Sequence, residues 1–262
     1  MDLVYISTPI AMHYEHVKMS ISYGKNVLCE KGFVLNASQA EEVFQLAEEK
    51  GVLLTEGIWT RYMPSRKILE KVLDSGVIGT ATSICANLGY SLAEIERLQD
   101  IKLGGGTILD LGIYTINFAC MAFREKVEKV AASCTKTERG VDGQDCVTLI
   151  FEGNKIASLF SSFLVQTDRR GMIFGEKGYA EVTNINNCEK ITVYNLEREV
   201  IEEYTVPPQI TGLEYEVLSC KKALSEGWLE CPEMPHSESI RMMRIMDEVR
   251  RQMGISFPAE IL

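Results

Sequence analysis

The chain has 262 residues, enough for one large domain or two small ones, with 46% apolar and 24% charged residues, an ordinary globular composition. Its net charge of −10 argues against nucleic acid and against anionic membrane surfaces, both of which call for clustered Lys and Arg. No apolar run approaches the roughly 20 residues that span a bilayer, and Met1-Asp2-Leu3-Val4-Tyr5 lacks the basic region of a signal peptide.

In chain order, Leu3-Val4-Tyr5-Ile6 reads as a short strand that stops at Ser7-Thr8-Pro9. A helical segment runs to Gly24, and Asn26-Val27-Leu28-Cys29 is a second strand. Ser38 followed by Glu41 looks like a capping box opening a helix. Ala40, Val43, Phe44 and Ala47 form its buried stripe, and Gly51 ends it. Val52-Leu53-Leu54 is the third strand. Strands alternating with helices at this spacing imply parallel pairing in a doubly wound sheet.

A second regime begins near Ile78. Strands are expected at 78–90, 127–136, 145–152, 155–165, 170–175, 178–183, 190–195 and 199–205, with Glu152-Gly153-Asn154 as a hairpin turn. This run predicts a mostly antiparallel sheet, interrupted by one helix over Gly104–Phe123 and closed by two more helices. Thr211 and Glu214 offer a second capping box, with Leu213, Val217, Cys220 and Leu224 on one face. Met242, Met246, Val249 and Met253 share a face of the last helix and read as core or an oligomer contact.

The eight cysteines, at 29, 85, 120, 134, 146, 188, 220 and 231, include no CxxC pair and read as buried reduced thiols of a cytoplasmic protein. His13 and His16 lie three apart, but nothing nearby completes a ligand set, so no metal is expected.

The richest stretch is Gly104-Gly105-Gly106-Thr107-Ile108-Leu109-Asp110-Leu111-Gly112-Ile113-Tyr114. In a helix, Asp110 and Tyr114 fall on one face, at an end whose free N–H groups favour anions. That suggests proton transfer on a small hydroxylated molecule. On spacing alone, a helix start with merely structural side chains fits as well. The parallel part has three strands and no GxGxxG, so it reads as the C-terminal half of a dinucleotide-binding domain or as a small α/β layer with no nucleotide.

Four motifs in order resemble the Gfo/Idh/MocA oxidoreductases, the family of glucose–fructose oxidoreductase and inositol dehydrogenase. They are Ser7-Thr8-Pro9 with His13, the strand end Cys29-Glu30-Lys31, the Gly104–Tyr114 stretch, and Glu56-Gly57-Ile58-Trp59-Thr60-Arg61-Tyr62-Met63-Pro64. The last, with Glu248–Pro258, is similar to the dimeric dihydrodiol dehydrogenases of that family. The resemblance implies a partial Rossmann sheet in residues 1–57 and an open-sheet α+β substrate and dimerisation domain in 58–262. Helices cover one face of that second sheet, and the last helix is free to pack back on the first domain. It implies NAD or NADP as cofactor, a sugar, polyol or cyclic diol substrate, and a homodimer through the open sheet at strands 145–175. Lys31, Asp110 and Tyr114 would be catalytic, with the Lys31 ammonium favouring the Tyr114 phenolate. Thr8, Pro9, His13, Glu30, Trp59 and Arg61 would line the cofactor. Gly32 stands where the family usually has proline after a cis peptide, so Lys31 either follows a trans peptide and points elsewhere or the strain is kept. The missing fingerprint also keeps open a truncated, non-catalytic homo-oligomer that holds no dinucleotide.

Overall fold

The computed structural model describes residues 1–260. β1 (Leu3–Ile6), β2 (Asn26–Glu30) and β3 (Leu54–Gly57) form a parallel sheet in that order, joined by α1 (His13–Ser22) and α2 (Ala37–Lys50). Val27, Leu28 and Cys29 are consecutively buried, as a strand covered on both faces requires. The α2 stripe of Ala40, Val43, Phe44 and Ala47 is buried as expected, but the cap lies two residues earlier. Asn36 is extended and its side chain accepts the Gln39 N–H at 2.9 Å, while Gln39 accepts the Leu35 N–H at 3.1 Å. The third strand starts at Leu54 rather than Val52. The Val52 N–H is bonded to the Ala47 carbonyl at the helix end, and the Leu53 N–H to the Asn26 side chain, so neither is free for the ladder.

The second layer is an eight-stranded sheet of β4 (Ala81–Gly89), β5 (Val127–Lys136), β6 (Asp142–Phe151), β7 (Lys155–Ser162), β8 (Gly171–Gly175), β9 (Gly178–Thr183), β10 (Lys190–Asn195) and β11 (Val200–Thr205). Their order is β11-β10-β9-β8-β4-β7-β6-β5, antiparallel except for the β4–β7 pair. The β6–β7 hairpin turns at Gly153 and Asn154, with φ of 77° and 58°. β7 ends three residues before the expected limit because the Ser162 hydroxyl accepts the Leu164 and Val165 N–H groups.

Among the described residues five further α-helices complete the fold: α3 (Pro64–Asp74), α4 (Glu96–Gln99), α5 (Ile113–Ala122), α6 (Glu214–Glu226) and α7 (His236–Met253). α5 packs on β4 and β7, and α7 touches α2, α5 and β5, tying the two layers together. Met242, Met246, Val249 and Met253 are all buried there. The other face of the large sheet is uncovered and exposes Ile156 and Phe174. Among the described residues no helix is long and apolar enough to cross a membrane.

Three expectations are corrected. Gly104–Phe123 is not one α-helix: Ile108–Gly112 is π-helical and α5 begins at Ile113. The Ile108 N–H goes to the Asp142 carboxylate at 2.7 Å, so the first turn is set by β6. Cys85 and Cys146 are exposed rather than buried, because alternation on β4 and β6 points them to the uncovered face. On α6 the buried face is Glu216, Cys220 and Ala223, leaving Leu213 and Val217 exposed. Its expected capping acid does work locally: Glu214 accepts the Ile210, Thr211 and Gly212 N–H groups.

Candidate active site

Lys31 leaves the carboxyl end of β2, the usual site of chemistry in a parallel sheet. Its Nζ donates to the Asp110 main-chain carbonyl at 2.8 Å and to Asp110 Oδ1 at 2.9 Å. The same ammonium sits 5.1 Å from the centroid of the Tyr114 ring. Tyr114 Oη accepts the indole N–H of Trp59 at 2.8 Å. Trp59 is in turn backed by Gly212, where a Cβ would lie 2.5 Å from the indole. Lys31, Asp110, Tyr114 and Trp59 therefore form one contiguous group. Asp110 and Tyr114 meet through Lys31, which bonds the first and lies over the ring of the second.

The electrostatics of the group are self-consistent. Burial pushes the Asp110 carboxyl up, but the Lys31 and Arg97 cations outweigh it and hold the pKa below the ordinary Asp range. Arg97 Nη1 donates to Asp110 Oδ1 at 3.2 Å. Burial pulls the Lys31 ammonium down, and Tyr114 and Asp110 more than restore it, so its pKa is raised. Tyr114 corrects an expectation. Burial raises its hydroxyl pKa, and the lowering effects of Lys31 and the Trp59 bond do not cancel it. Tyr114 thus holds its proton as a phenol instead of being poised as phenolate.

The remaining candidates divide. Thr8 and Pro9 follow the end of β1, with Thr8 exposed and its hydroxyl 3.0 Å from His16 Nδ1. Glu30 accepts the Tyr5 hydroxyl and the Lys31 N–H. His13 is 1% exposed, and its ring nitrogens face the Phe33 carbonyl at 3.0 Å and the Thr8 carbonyl at 2.7 Å. It fastens two loops and offers no free edge to a cofactor. Arg61 is also buried, bonded to Asn117 at 2.6 Å and Glu238 at 2.8 Å, so it joins α5 to α7 and stands apart from the Lys31 group.

Among the described residues all peptides are trans, Lys31–Gly32 included. A Cβ at Gly32 would lie 2.9 Å from the Leu109 carbonyl. Glycine there lets the loop close on the π turn, which is how Lys31 reaches Asp110 without the family's proline.

Sequence reasoning missed Arg97, for which no motif gives a signal, and two buried acids, one in β3 and one on α6. Glu56 and Glu216 are each 1% exposed. Burial pushes their carboxyls up to about 7 and about 8. Glu56 could have been noticed as an acid inside a strand that is otherwise wholly apolar or small.

The oxidoreductase family with NAD-binding Rossmann fold matches residues 1–58, and the GFO/IDH/MocA C-terminal domain matches 67–181. The chain is 32% identical to trans-1,2-dihydrobenzene-1,2-diol dehydrogenase of Homo sapiens over 268 residues, covering 99% of this chain and 79% of that one. The enzyme of that name from Danio rerio is 31% identical, with 98% and 78% covered. Among solved structures, aldose-aldose oxidoreductase from Caulobacter crescentus superposes with a TM-score of 0.87 at 20% identity, covering 96% of this chain and 77% of that one. A 3-ketoreductase from Actinomadura kijaniata in complex with NADP and TDP-benzene gives 0.84 at 22% identity, covering 97% and 78%. These two likenesses are of fold.

Proposed function

The chain belongs to the Gfo/Idh/MocA oxidoreductase family, and from that premise we propose that it transfers hydride between NAD(P) and a CH–OH group of a sugar or cyclic diol, with Tyr114 and Lys31 as the proton-transfer pair. The observation that supports this reading is the Lys31 ammonium, tied to Asp110 at 2.9 Å and held 5.1 Å from the Tyr114 ring at the end of a parallel strand. The bound dinucleotide supplies the hydride acceptor or donor. Tyr114 Oη gives its proton to the oxygen that becomes the hydroxyl, or takes it back in the reverse direction. Trp59 orients Tyr114 Oη by its N–H bond, and the Lys31 ammonium stabilises the negative charge left on the phenolate once the proton has gone. Asp110 keeps Lys31 over the ring.

The residues present fit the nicotinamide end of a dinucleotide better than its pyrophosphate. Trp59 gives a flat aromatic wall beside Lys31. The parallel strands run instead into Ser7-Thr8-Pro9, Lys31-Gly32 and Ile58-Trp59, and among the described residues none ends in a glycine-rich turn before a helix. The second reading is a non-catalytic homo-oligomer that holds no dinucleotide. Titration of NADH and NADPH by fluorescence separates the two: a dissociation constant of about 10 μM or tighter removes the second reading.

The activity itself is tested with NAD⁺ or NADP⁺ against trans-1,2-dihydrobenzene-1,2-diol and a panel of aldoses, reading the absorbance of reduced nicotinamide. Tyr114→Phe is expected to lower turnover roughly 100-fold. No turnover on any substrate, or near-parental turnover of Tyr114→Phe, overturns the assignment. The uncovered sheet face is the proposed homodimer contact, since a sheet with helices on one face leaves the other to be covered.

A further inference from the structure

We propose that Asp142 is the positioning residue for the Lys31–Asp110 pair: from the first residue of β6 it grips the leading end of the π turn that carries Asp110. The inference deepens the reading of Lys31 and Asp110 given above and rests on it. Asp142 Oδ2 accepts the Ile108 N–H at 2.7 Å, and Asp110 follows two residues later. Thr107 adds a second tie, its hydroxyl donating to the Gly143 carbonyl at 2.8 Å. Gly106 has φ of +121°, and a Cβ there would lie 2.2 Å from Asp142 Oδ1, so the carboxyl closes on the turn only because that residue is glycine. The glycine run thus serves as a seat for a carboxylate of this chain.

The strand register shows how the carboxyl comes to point inward. Opposite β5, Thr135 pairs with Gln144 while Lys136 pairs with Asp142, so Gly143 is an extra residue in the ladder. Such a bulge rephases the alternation. Asp142 and Asp145 therefore both face inward, 0% and 1% exposed. Asp145 stands beneath Gly112, at the far end of the same π turn. The pair brackets the segment whose centre gives the Asp110 main-chain carbonyl and Oδ1 to Lys31.

Among the described residues neither carboxyl forms an ion pair. Two adjacent buried charges without a counter-ion are prohibitively costly. The groups facing the pair are the Thr107 and Ile108 N–H groups from the π turn and the Cys134 thiol from β5, whose own pKa is raised. Burial and the Asp142 charge push Asp145 up to about 9, while burial pushes Asp142 only to about 6 because main-chain N–H groups oppose it. Near neutral pH Asp145 keeps its proton and Asp142 is the member that ionises, so the bond from Ile108 to Asp142 is charge-assisted.

The test reads Lys31 itself. Wild type, Asp142→Ala and Asp142→Asn are treated with trinitrobenzenesulfonate, and labelling of Lys31 is followed by mass spectrometry against Lys25 as an internal reference. Amide exchange of residues 104–114 is measured in parallel. Asp142→Ala should raise relative Lys31 labelling about tenfold or more, and Asp142→Asn, which keeps an acceptor for Ile108, should restore it to within about threefold of wild type. Unchanged labelling in Asp142→Ala, or labelling in Asp142→Asn as fast as in Asp142→Ala, overturns the proposal. If Asp142→Ala does not fold, the exchange measurement decides. Protection of Ile108 should fall in wild type between about pH 8 and about pH 5, as Asp142 takes up its proton, and stay flat in Asp142→Asn. Equal profiles overturn it. Because turnover is not the readout, a chain inactive on every diol and aldose leaves this result standing, and failure here leaves the proposed activity standing.

Discussion

Replacing Asp110 by Asn should destabilise the fold by about 3 kcal/mol, the low end for breaking a buried ion pair from one side. The Lys31 and Asp110 side chains are 15% and 8% exposed, so water replaces little of what is lost. Asn keeps the shape and one acceptor, and the main-chain carbonyl of residue 110 still receives Lys31 at 2.8 Å. The geometry survives while the charge does not, leaving Lys31 and Arg97 near one site without their shared counter-charge. At about 2–4 °C per kcal/mol for a chain of this size, Tm should fall by about 6–12 °C. Urea unfolding of wild type, Asp110→Asn, Lys31→Met and the double variant measures it. The double variant should exceed the sum of the singles in stability by at least ~1 kcal/mol. Additive singles, or a loss under about 0.5 kcal/mol for Asp110→Asn, would refute the claim that the pair is desolvated. The sign with pH follows from the lowered Asp110 pKa. Its stabilisation is present above the unfolded Asp value of about 3.9 and is lost only as pH falls through the lower folded value. The gap between wild type and Asp110→Asn should therefore close only in strong acid.

The raised carboxyls of Glu56 and Glu216, at about 7 and about 8, act in the opposite sense. Their contribution is most favourable below the unfolded Glu value of about 4.3 and is lost as pH rises through the folded values, so Glu56→Gln and Glu216→Gln should each gain a few kcal/mol, roughly, over wild type at pH ~8.5 and little at pH ~4. Urea midpoints across that range that do not diverge would contradict the burial argument. Gly32→Ala and Gly32→Pro should each cost roughly 1–3 kcal/mol, because a Cβ at 2.9 Å from the Leu109 carbonyl forces the π turn to move; unchanged denaturation midpoints would show that the turn yields freely. On the uncovered sheet face, Phe174→Glu should convert a dimer to a monomer in light scattering, and a wild-type monomer at high concentration would refute the contact.

The residues of the proposed site were legible where the sequence carries them in short ordered motifs. Lys31, Asp110, Tyr114 and Trp59 each sit in a recognisable local pattern, and the fold brings all four together. The parallel and antiparallel regimes were legible for a similar reason, since strand and helix periods differ and glycine and proline mark the breaks. What failed depended on partners distant in sequence. His13 and Arg61 stand in the right motifs, yet their hydrogen bonds reach Phe33, Asn117 and Glu238, and these commit them to structure. The π turn could not be read from Gly104–Tyr114 alone, because the group that takes the Ile108 N–H lies 34 residues away. The α6 face was misread because its buried stripe includes an acid, Glu216, which hydrophobic periodicity counts as solvent-facing.

The hydrogen bond from Trp59 to Tyr114 also makes the site optically addressable. The chain has only two tryptophans. Trp228 is 38% exposed, whereas Trp59 is half-buried with its indole N–H engaged. A soluble quencher such as acrylamide therefore extinguishes Trp228 preferentially. The emission that survives comes from a ring bonded to the proposed proton carrier, so ionisation of that phenol, or the arrival of a nicotinamide beside it, registers as a change in intrinsic light output without any label.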